Sequence, residues 1–247
     1  MMENAQLVAL SRQTALRNQL DVVANNMANI NTSGYKSQRA VFQEFLMPVA
    51  EASGFPNADQ TLSYVHDAAT FTDFEIGAIK QSGNEFDLAI EGDGFFVVER
   101  PEGEQGYTRN GAFHLDSQGM LVTAEGQAVL TETGPIFFNN DDGKVEIARD
   151  GTISTAQGVR GRIQIVDFEN PQTLEQVGDA LFAGAAPFPV DNIRLHQGAV
   201  EQSNVEGVME MTRLIEIQRA YSSISQYVKD SDDLRKQAIS TLGKLEA

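Results

Sequence analysis

The sequence predicts an α+β fold, with a long helix at each end of the chain and a central all-β domain of hairpins. Two observations support this prediction. Near both termini, apolar residues recur at alternating spacings of three and four, which is typical of coiled-coil helices. Between about residues 75 and 200 the apolar residues instead alternate with polar ones, and turns containing Gly interrupt them.

The amino-terminal helix is predicted over about residues 3–31. Its apolar stripe consists of Ala9, Leu16, Leu20, Val23, Met27 and Ile30. Gly34 follows shortly afterwards, where a helix is expected to stop in the left-handed conformation. We interpret residues 1–36 as the amino-terminal coiled-coil segment.

The carboxy-terminal helix is predicted over about residues 203–245. Its stripe consists of Leu214, Ile217, Tyr221, Ile224, Val228, Ser231, Arg235, Ala238, Leu242 and Leu245. The two stripes predict that the terminal helices, residues 1–36 and 201–247, pair with each other as a coiled coil. The alternative is a pair of ordinary core helices in a globular domain.

The central segment, residues 81–200, is predicted to form the β domain. Short alternating runs such as residues 86–90, 95–98 and 162–166 are separated by turns in which Gly supplies a positive φ angle. Residues 37–80 show neither periodicity strongly, so we interpret them as an extended connector.

The composition excludes several classes of partner. The chain has 18 basic and 35 acidic residues, a net charge of −17, and no basic run that would bind nucleic acid or an anionic membrane. It contains no Cys, which excludes disulfides and thiolate ligands. No apolar run approaches the roughly 20 residues of a membrane span, and the amino terminus lacks the pattern of a cleaved signal peptide. We therefore expect no membrane insertion and no such peptide.

No motif supports catalysis or a cofactor. His66, His114 and His196 are isolated and lack metal-ligand spacing. The GDGFF run has Val97 where a dinucleotide fingerprint needs a third Gly, and the acidic run before Gly143 has Phe138 where a calcium loop needs an oxygen ligand. We therefore expect no enzyme, no small-molecule substrate, no cofactor and no catalytic or metal-binding residue.

Three blocks of sequence carry a resemblance to a known family. Residues 24–36 read ANNMANINTSGYK, residues 85–96 and 107–111 include EGDGFF and YTRNG, and residues 201–221 include EQSNV, EMT and QRAY. In this order they resemble the flagellar basal-body rod and hook proteins. The positions that match the terminal blocks are the predicted assembly residues: Ala24, Asn25, Asn26, Ala28, Asn29, Thr32, Gly34, Tyr35, Lys36, Ser203, Asn204, Val205, Gln218, Arg219 and Tyr221.

The resemblance implies a structural, axial role in the flagellar basal body. The implied partners are other copies of the chain, other rod proteins and the flagellar type III export apparatus, and the implied location is the periplasmic rod. YTRNG, residues 134–136 and residues 150–154 are more similar to the proximal than to the distal rod proteins, which remain the alternative. A surface binding module on a coiled-coil stalk is a rival of another class.

Four asparagines lie within or just after the amino-terminal helix. Asn25, Asn26, Asn29 and Asn31 are short and uncharged, and each can both donate and accept hydrogen bonds. If the non-stripe face of the helix meets neighbouring protein, such side chains form hydrogen bonds across that contact without burying charge. The alternative is that they only fray and cap the helix end.

Overall fold

A computed structural model describes the backbone of residues 2–48, 61–101, 103–178, 180–190, 192 and 194–245, and most side chains within 8–41 and 70–241. Helix α1 spans Met2–Ala28 and helix α2 spans Gly207–Leu245. The strands are β1 Gln38–Pro48, β2 Thr61–Thr72, β3 Ile79–Gln81, β4 Leu88–Ile90, β5 Phe95–Glu99, β6 Gln105–Thr108, β7 His114–Leu115, β8 Leu121–Val122, β9 Ala128–Thr131, β10 Gly134–Pro135, β11 Glu146–Ile147, β12 Thr152–Thr155, β13 Gly158–Arg162, β14 Ile165–Asp167, β15 Glu175–Gln176, β16 Leu181–Ala183, β17 Phe188–Pro189, β18 Leu195–Gln197 and β19 Ala199–Glu201.

The chain divides into two compact units. The first unit comprises residues 1–27, 38–71 and 207–247, and the second comprises residues 28–37 and 72–206. Each unit therefore combines segments that are far apart in the sequence.

The first unit contains both helices and the two-stranded sheet of β1 and β2. These two strands lie within the segment interpreted as an extended connector, whose residues 49–60 are outside the described part of the chain. Asn26 Nδ2 donates to the carbonyl oxygen of Gln38 at 2.8 Å, and the Gln38 backbone N–H donates to Asn26 Oδ1 at 2.9 Å. In the described part of the chain, neither helix is long and apolar enough to cross a membrane.

The prediction that the two helices pair as a coiled coil was wrong. The structure has one helix at each end of the chain around a β-rich central region, which is an α+β arrangement. Between the described parts of the helices Gln13 Nε2 donates to Ser225 Oγ at 3.1 Å, a polar contact that does not establish coiled-coil packing. A cavity of about 320 Å³ is lined by Val22 and Val23 of α1, by Arg213 and Ile217 of α2, and by residues 38–40 of β1. A coiled coil instead requires each stripe residue to insert between residues of the partner helix.

The stripe residues are buried to different degrees. On α1, Val23 is buried but Leu16 and Leu20 are only half-buried, and Ile30 lies beyond the end of the helix and is exposed. On α2, Leu214, Ile217, Tyr221, Ile224 and Val228 are all half-buried, and the side chains of Ala238, Leu242 and Leu245 are outside the described set. Heptad spacing therefore identified the inner faces of the helices but not how they pack.

The second unit is built on an antiparallel sheet in the order β15–β16–β6–β5–β9–β8–β7, to which β10, β14 and β17 are attached. Strand β5 lies near the middle and is buried on both faces. Phe96 and Val98 belong to one apolar cluster, and Phe95 and Val97 belong to another. Because successive side chains of a strand point to opposite faces, this one apolar run contributes to both cores.

We predict that Phe96→Ala destabilises the second unit by about 3–5 kcal/mol, because it removes a fully buried ring that packs edge-on against Phe113 at 5.1 Å. Urea unfolding followed by circular dichroism measures the effect. Phe137→Ala is the matched control, since the Phe137 side chain is 48% exposed, and its midpoint should stay near the wild type. Equal losses in the two variants would contradict this description of the core.

Candidate functional site: a buried junction of the terminal segments

Four distant parts of the chain meet in the second unit. Residues 34–37 follow α1, residues 201–204 precede α2, and Arg109 and residues 73–77 contact both segments. We call this set of residues the junction. It brings together parts of the three sequence blocks that carry the family resemblance.

Backbone hydrogen bonds tie the two terminal segments to each other. The Gly34 N–H donates to the carbonyl oxygen of Glu201 at 2.8 Å, and the Asn204 N–H donates to that of Tyr35 at 3.4 Å. The Asn204 side chain extends the contact, because its Oδ1 accepts from the Ser37 N–H at 2.7 Å and its Nδ2 donates to the carbonyl oxygen of Asp73 at 2.8 Å. The segment that leaves α1 and the segment that enters α2 are thus held side by side.

A buried ion pair lies at the centre of the junction. Lys36 Nζ donates to Glu201 Oε1 at 2.7 Å and to the carbonyl oxygen of Glu75 at 2.6 Å. Glu201 Oε1 also accepts from the Gly77 N–H at 3.0 Å. The Lys36 and Glu201 side chains are only 0% and 1% exposed, so the pair is shielded from solvent and its partners must come from the protein itself.

Arg109 adds a second buried cation. Its Nη2 donates to the carbonyl oxygen of Gly92 at 2.6 Å, and its guanidinium lies over the ring of Phe95 at 5.6 Å. Its Nη1 lies 3.7 Å from Glu201 Oε2, a distance that allows electrostatic attraction but no hydrogen bond. One carboxylate therefore faces two cations, and each cation depends on it.

Burial changes the ionisation of both cations. Desolvation lowers the pKa of the Lys36 ammonium below its ordinary value, and the attraction and hydrogen bond of Glu201 only partly oppose this effect. Desolvation likewise lowers the pKa of Arg109, against the attraction of Glu201, Asp93 and Asp167. The carboxylate of Glu201 is thus what makes two charged groups tolerable in the interior.

The junction is also closely packed at Gly34. This residue has φ +68°, and a Cβ atom built on it would lie 2.3 Å from the carbonyl carbon of Arg109. Only Gly fits such a position, because it has no side chain and adopts positive φ at low cost. The sequence predicted the left-handed conformation at Gly34, but the residue lies beyond the end of α1 and serves the junction instead.

The structure places the predicted assembly residues in two groups. Those buried in or beside the junction are Gly34, Tyr35, Lys36 and Val205, and Asn204 is half-buried there. Ser203 is close by, and its Oγ accepts from the Val205 N–H at 3.3 Å.

The remaining predicted residues lie on or just after the helices. The buried ones are Asn26 and Asn29, and Asn29 Oδ1 accepts from Thr32 Oγ1 at 2.9 Å. The half-buried ones are Thr32 and Tyr221, and the exposed ones are Ala24, Asn25, Ala28, Gln218 and Arg219. Asn26 and Asn29 therefore have roles within the chain, whereas the other residues of this group are at least partly open to solvent.

Sequence reasoning did not identify Arg109 and Glu201 as site residues. One signal was present for Glu201, because alternation along β19 places it on the same face as Ala199, and both side chains are buried. A charge on the buried face of a strand calls for a partner of opposite charge. Nothing in the spacing of residues 36 and 201 indicates that Lys36 is this partner.

The chemistry of the junction is structural. Oε1 of the Glu201 carboxylate accepts from Lys36 and from the Gly77 N–H, whereas the buried Oε2 accepts no hydrogen bond and faces Arg109. Within the described residues, no group of three or more His, Asp or Glu side chains is placed to hold a metal ion. The geometry is that of an internal clamp.

We predict that Glu201→Gln destabilises the protein by about 3–5 kcal/mol, since it leaves Lys36 and Arg109 buried without a countercharge. Urea unfolding measures the loss. The control is Glu146→Gln, which breaks the exposed pair with Lys144 and should leave the midpoint close to the wild type. A loss below about 1 kcal/mol for Glu201→Gln would show that the pair is dispensable.

We also predict that Gly34→Ala destabilises the protein by about 2–5 kcal/mol, through positive-φ strain and overlap with the Arg109 backbone. The matched control is Gly126→Ala. Gly126 has φ +84° but no atom within 4 Å of an added Cβ, so it reports the strain alone, about 1–2 kcal/mol. Similar unfolding midpoints for the two variants would refute the close approach at Gly34.

Comparison with known families gives three matches along the chain. The model described as "Flagella basal body rod protein" matches residues 7–36, "Flagellar hook protein FlgE/F/G D1 domain" matches residues 89–155, and "Flagellar basal body rod FlgEFG protein C-terminal" matches residues 196–241. Lys36, Arg109 and Glu201 fall one in each matched region. The junction is therefore where the three regions meet.

Individual relatives match over nearly the whole chain. The chain is 39% identical to the flagellar basal-body rod protein FlgF of Caulobacter vibrioides, covering 99% of this chain and 100% of the relative. It is 32% identical to FlgF of Mesorhizobium japonicum, over 98% and 99%, and 33% identical to the rod protein FlgG of Borreliella burgdorferi, over 94% and 96%. This chain therefore belongs to the family of flagellar basal-body rod proteins.

Proposed function

We propose that the chain is a structural subunit of the proximal part of the flagellar rod. Its partners in this proposal are other copies of itself and other rod proteins. The observation that carries it is the junction, which clamps the segments next to the two terminal helices with a solvent-excluded ion pair. Such a clamp suits a mechanical component, because the clamp holds the two segments together without a bound substrate or cofactor.

The junction provides a path for mechanical load. The chain enters the second unit directly after α1, at residues 27 and 28, and leaves it directly before α2, at residues 206 and 207, so force on either helix reaches residues 28–37 or 201–206 first. The hydrogen bonds between Gly34 and Glu201 and between Asn204 and Tyr35 hold the two links together, so they share the load. We propose that the rod transmits torque through such shared links.

The predicted assembly residues divide between two roles in this proposal. Gly34, Tyr35, Lys36 and Asn204 stabilise the junction. Ala24, Asn25, Ala28, Gln218 and Arg219 are exposed on the helices and contact neighbouring subunits. Asn26 holds the start of β1 through paired hydrogen bonds with Gln38.

The proposal also includes the route by which the chain reaches the rod. The chain passes unfolded through the flagellar type III export apparatus and assembles in the periplasm. The absence of Cys supports this route, because an exported chain without thiols cannot be cross-linked in an oxidising compartment. The FlgF relatives at 39% and 32% identity favour the proximal rod, while the FlgG relative keeps the distal rod as the alternative.

Localisation in isolated basal bodies tests this function. An epitope is inserted between Gln157 and Gly158, in the exposed turn between β12 and β13, so that both terminal helices remain unmodified. In a strain lacking the native gene, we expect the tagged chain to restore motility and immunogold label to lie on the membrane-proximal side of the rod. Label on the distal side would favour the alternative, and label absent from the rod would refute a rod function.

The same strain tests the role of the junction. The Glu201→Gln chain should fail to restore motility and should be depleted from the rod, whereas the Glu146→Gln chain should behave like the wild type. Normal motility with Glu201→Gln would show that the rod does not need the junction for its mechanical role.

A further inference from the structure

A single Asn–Gly step occurs in the sequence, at Asn110 and Gly111. Asn is among the chemically labile residues of proteins. In an unfolded chain, the backbone nitrogen of the next residue can attack the side-chain carbonyl carbon of Asn. Gly permits this attack best, because it has no side chain in the way and its backbone rotates freely. The step follows Arg109 of the junction directly, so a chemical change there affects the clamp.

The folded chain holds this step in a fixed turn. The Asn110 N–H donates to Thr108 Oγ1 at 3.0 Å, and the Ala112 N–H donates to Asn110 Oδ1 at 3.1 Å. The carbonyl oxygen of Gly111 accepts from the Leu88 N–H at 2.9 Å. Attack by the Gly111 nitrogen requires the Asn110 side chain and the peptide bond after it to rotate towards each other. The three hydrogen bonds resist this rotation.

The backbone on both sides of the step is also closely packed. A Cβ atom built on Gly34 would lie 2.3 Å from the Asn110 nitrogen, and one built on Gly111 would lie 1.7 Å from the carbonyl oxygen of Leu88. An isoaspartyl residue carries the backbone through its Cβ and so lengthens it by one carbon, about 1.5 Å. Isoaspartate at position 110 therefore displaces the chain from Gly34 or from Leu88, and it moves Arg109 away from Glu201.

We propose that Asn110 is a deamidation site of the unfolded chain, that folding closes this site, and that the isoaspartyl product cannot form the junction. The Gly111 nitrogen gives its proton to solvent and bonds to Cγ of Asn110. The Cγ–Nδ2 bond breaks, and the amide leaves as ammonia after taking a proton from water. Water then opens the succinimide ring at one of its two carbonyl carbons, which gives Asp or isoaspartate.

The site acts on copies that wait unfolded. This inference rests on the proposed function in one respect, because export of an unfolded chain is what gives Asn110 time to react. A chain that is modified before it folds is removed irreversibly from the folding equilibrium. A copy that waits too long thus fails to build the clamp and is excluded from the rod.

Incubation of the purified full-length chain at neutral pH, with and without guanidinium chloride, tests the site. Chymotrypsin cuts after Tyr107 and Phe113 and releases residues 108–113, in which mass spectrometry with electron-transfer fragmentation distinguishes Asn, Asp and isoaspartate. We expect Asn110 to react at least about tenfold faster in the unfolded chain, because the folded chain reacts only when it opens. Equal rates in the two samples would overturn the proposal.

Asn204 is the internal control in the same samples. It is followed by Val205, whose β-branched side chain hinders attack by its backbone nitrogen. In the unfolded chain, we expect the Asn204 amide to be lost at least about tenfold more slowly than that of Asn110. Comparable losses at the two positions would contradict a special role for the Asn–Gly step.

Refolding tests the consequence for the junction. Chains partly converted in denaturant are diluted into buffer, and folded and unfolded chains are separated by size-exclusion chromatography. We expect isoaspartate at position 110 to be enriched at least about tenfold in the unfolded fraction. Isoaspartyl chains that refold as completely as the unmodified ones would refute this part of the proposal.

The matched control is Asn110→Asp, which adds the new charge without the extra backbone carbon. Its Oδ1 can still accept from the Ala112 N–H, so this variant should refold with an unfolding midpoint near the wild type. An Asn110→Asp chain that fails to refold would assign the damage to charge and overturn the role of the lengthened backbone.

The outcomes separate this inference from the function beneath it. If the tagged wild-type chain is absent from the rod, the proposed function fails, whatever the rate of deamidation. If that chain is present in the rod but Asn110 reacts equally in the folded and unfolded chain, the rod function stands and this inference fails.

Discussion

The structure of the second unit depends on one carboxylate that neutralises two buried cations. Glu201 accepts from Lys36 at 2.7 Å and lies 3.7 Å from Arg109, and all three side chains are almost wholly buried. A buried pair of this kind adds little stability compared with apolar residues of the same volume, but the loss of one partner is costly. We infer that its value here is specificity, because the charges favour the arrangement in which Lys36, Arg109 and Glu201 meet.

The junction also explains why the ends of this chain cannot be considered separately. Lys36 and Glu201 are 165 positions apart, so the ion pair closes a loop that contains nearly the whole second unit. The entropic cost of closing a loop grows only slowly with its length, but it must be met by contacts formed inside the loop. The apolar clusters on both faces of β5 supply those contacts. The clamp thus depends on the folded β unit that brings its residues together.

Much of the secondary structure could be predicted from sequence, but the packing could not. The periodicities located a helix at each end and strands such as β5, because burial on one face repeats at the spacing of the element. Heptad spacing shows which residues share a face but not what covers that face, and β1 shares the cavity where a coiled coil was predicted. At the candidate site, residues 34–36 and 204 were identified through family resemblance, whereas Arg109 and Glu201 were missed. Contacts between residues so distant in the chain leave no periodic trace in a single sequence.

A rod subunit must be rigid in itself and yet incomplete without neighbours, and the sequence separates these two requirements. Lys36 and Glu201 are paired internally at the junction, while α2 keeps apolar side chains such as Val208 exposed. The net charge of −17 opposes the association of free copies at long range. At physiological ionic strength this repulsion is screened beyond about 8 Å. The net charge therefore has little influence at contact distance, where burial of the exposed apolar side chains of α2 is the stronger effect.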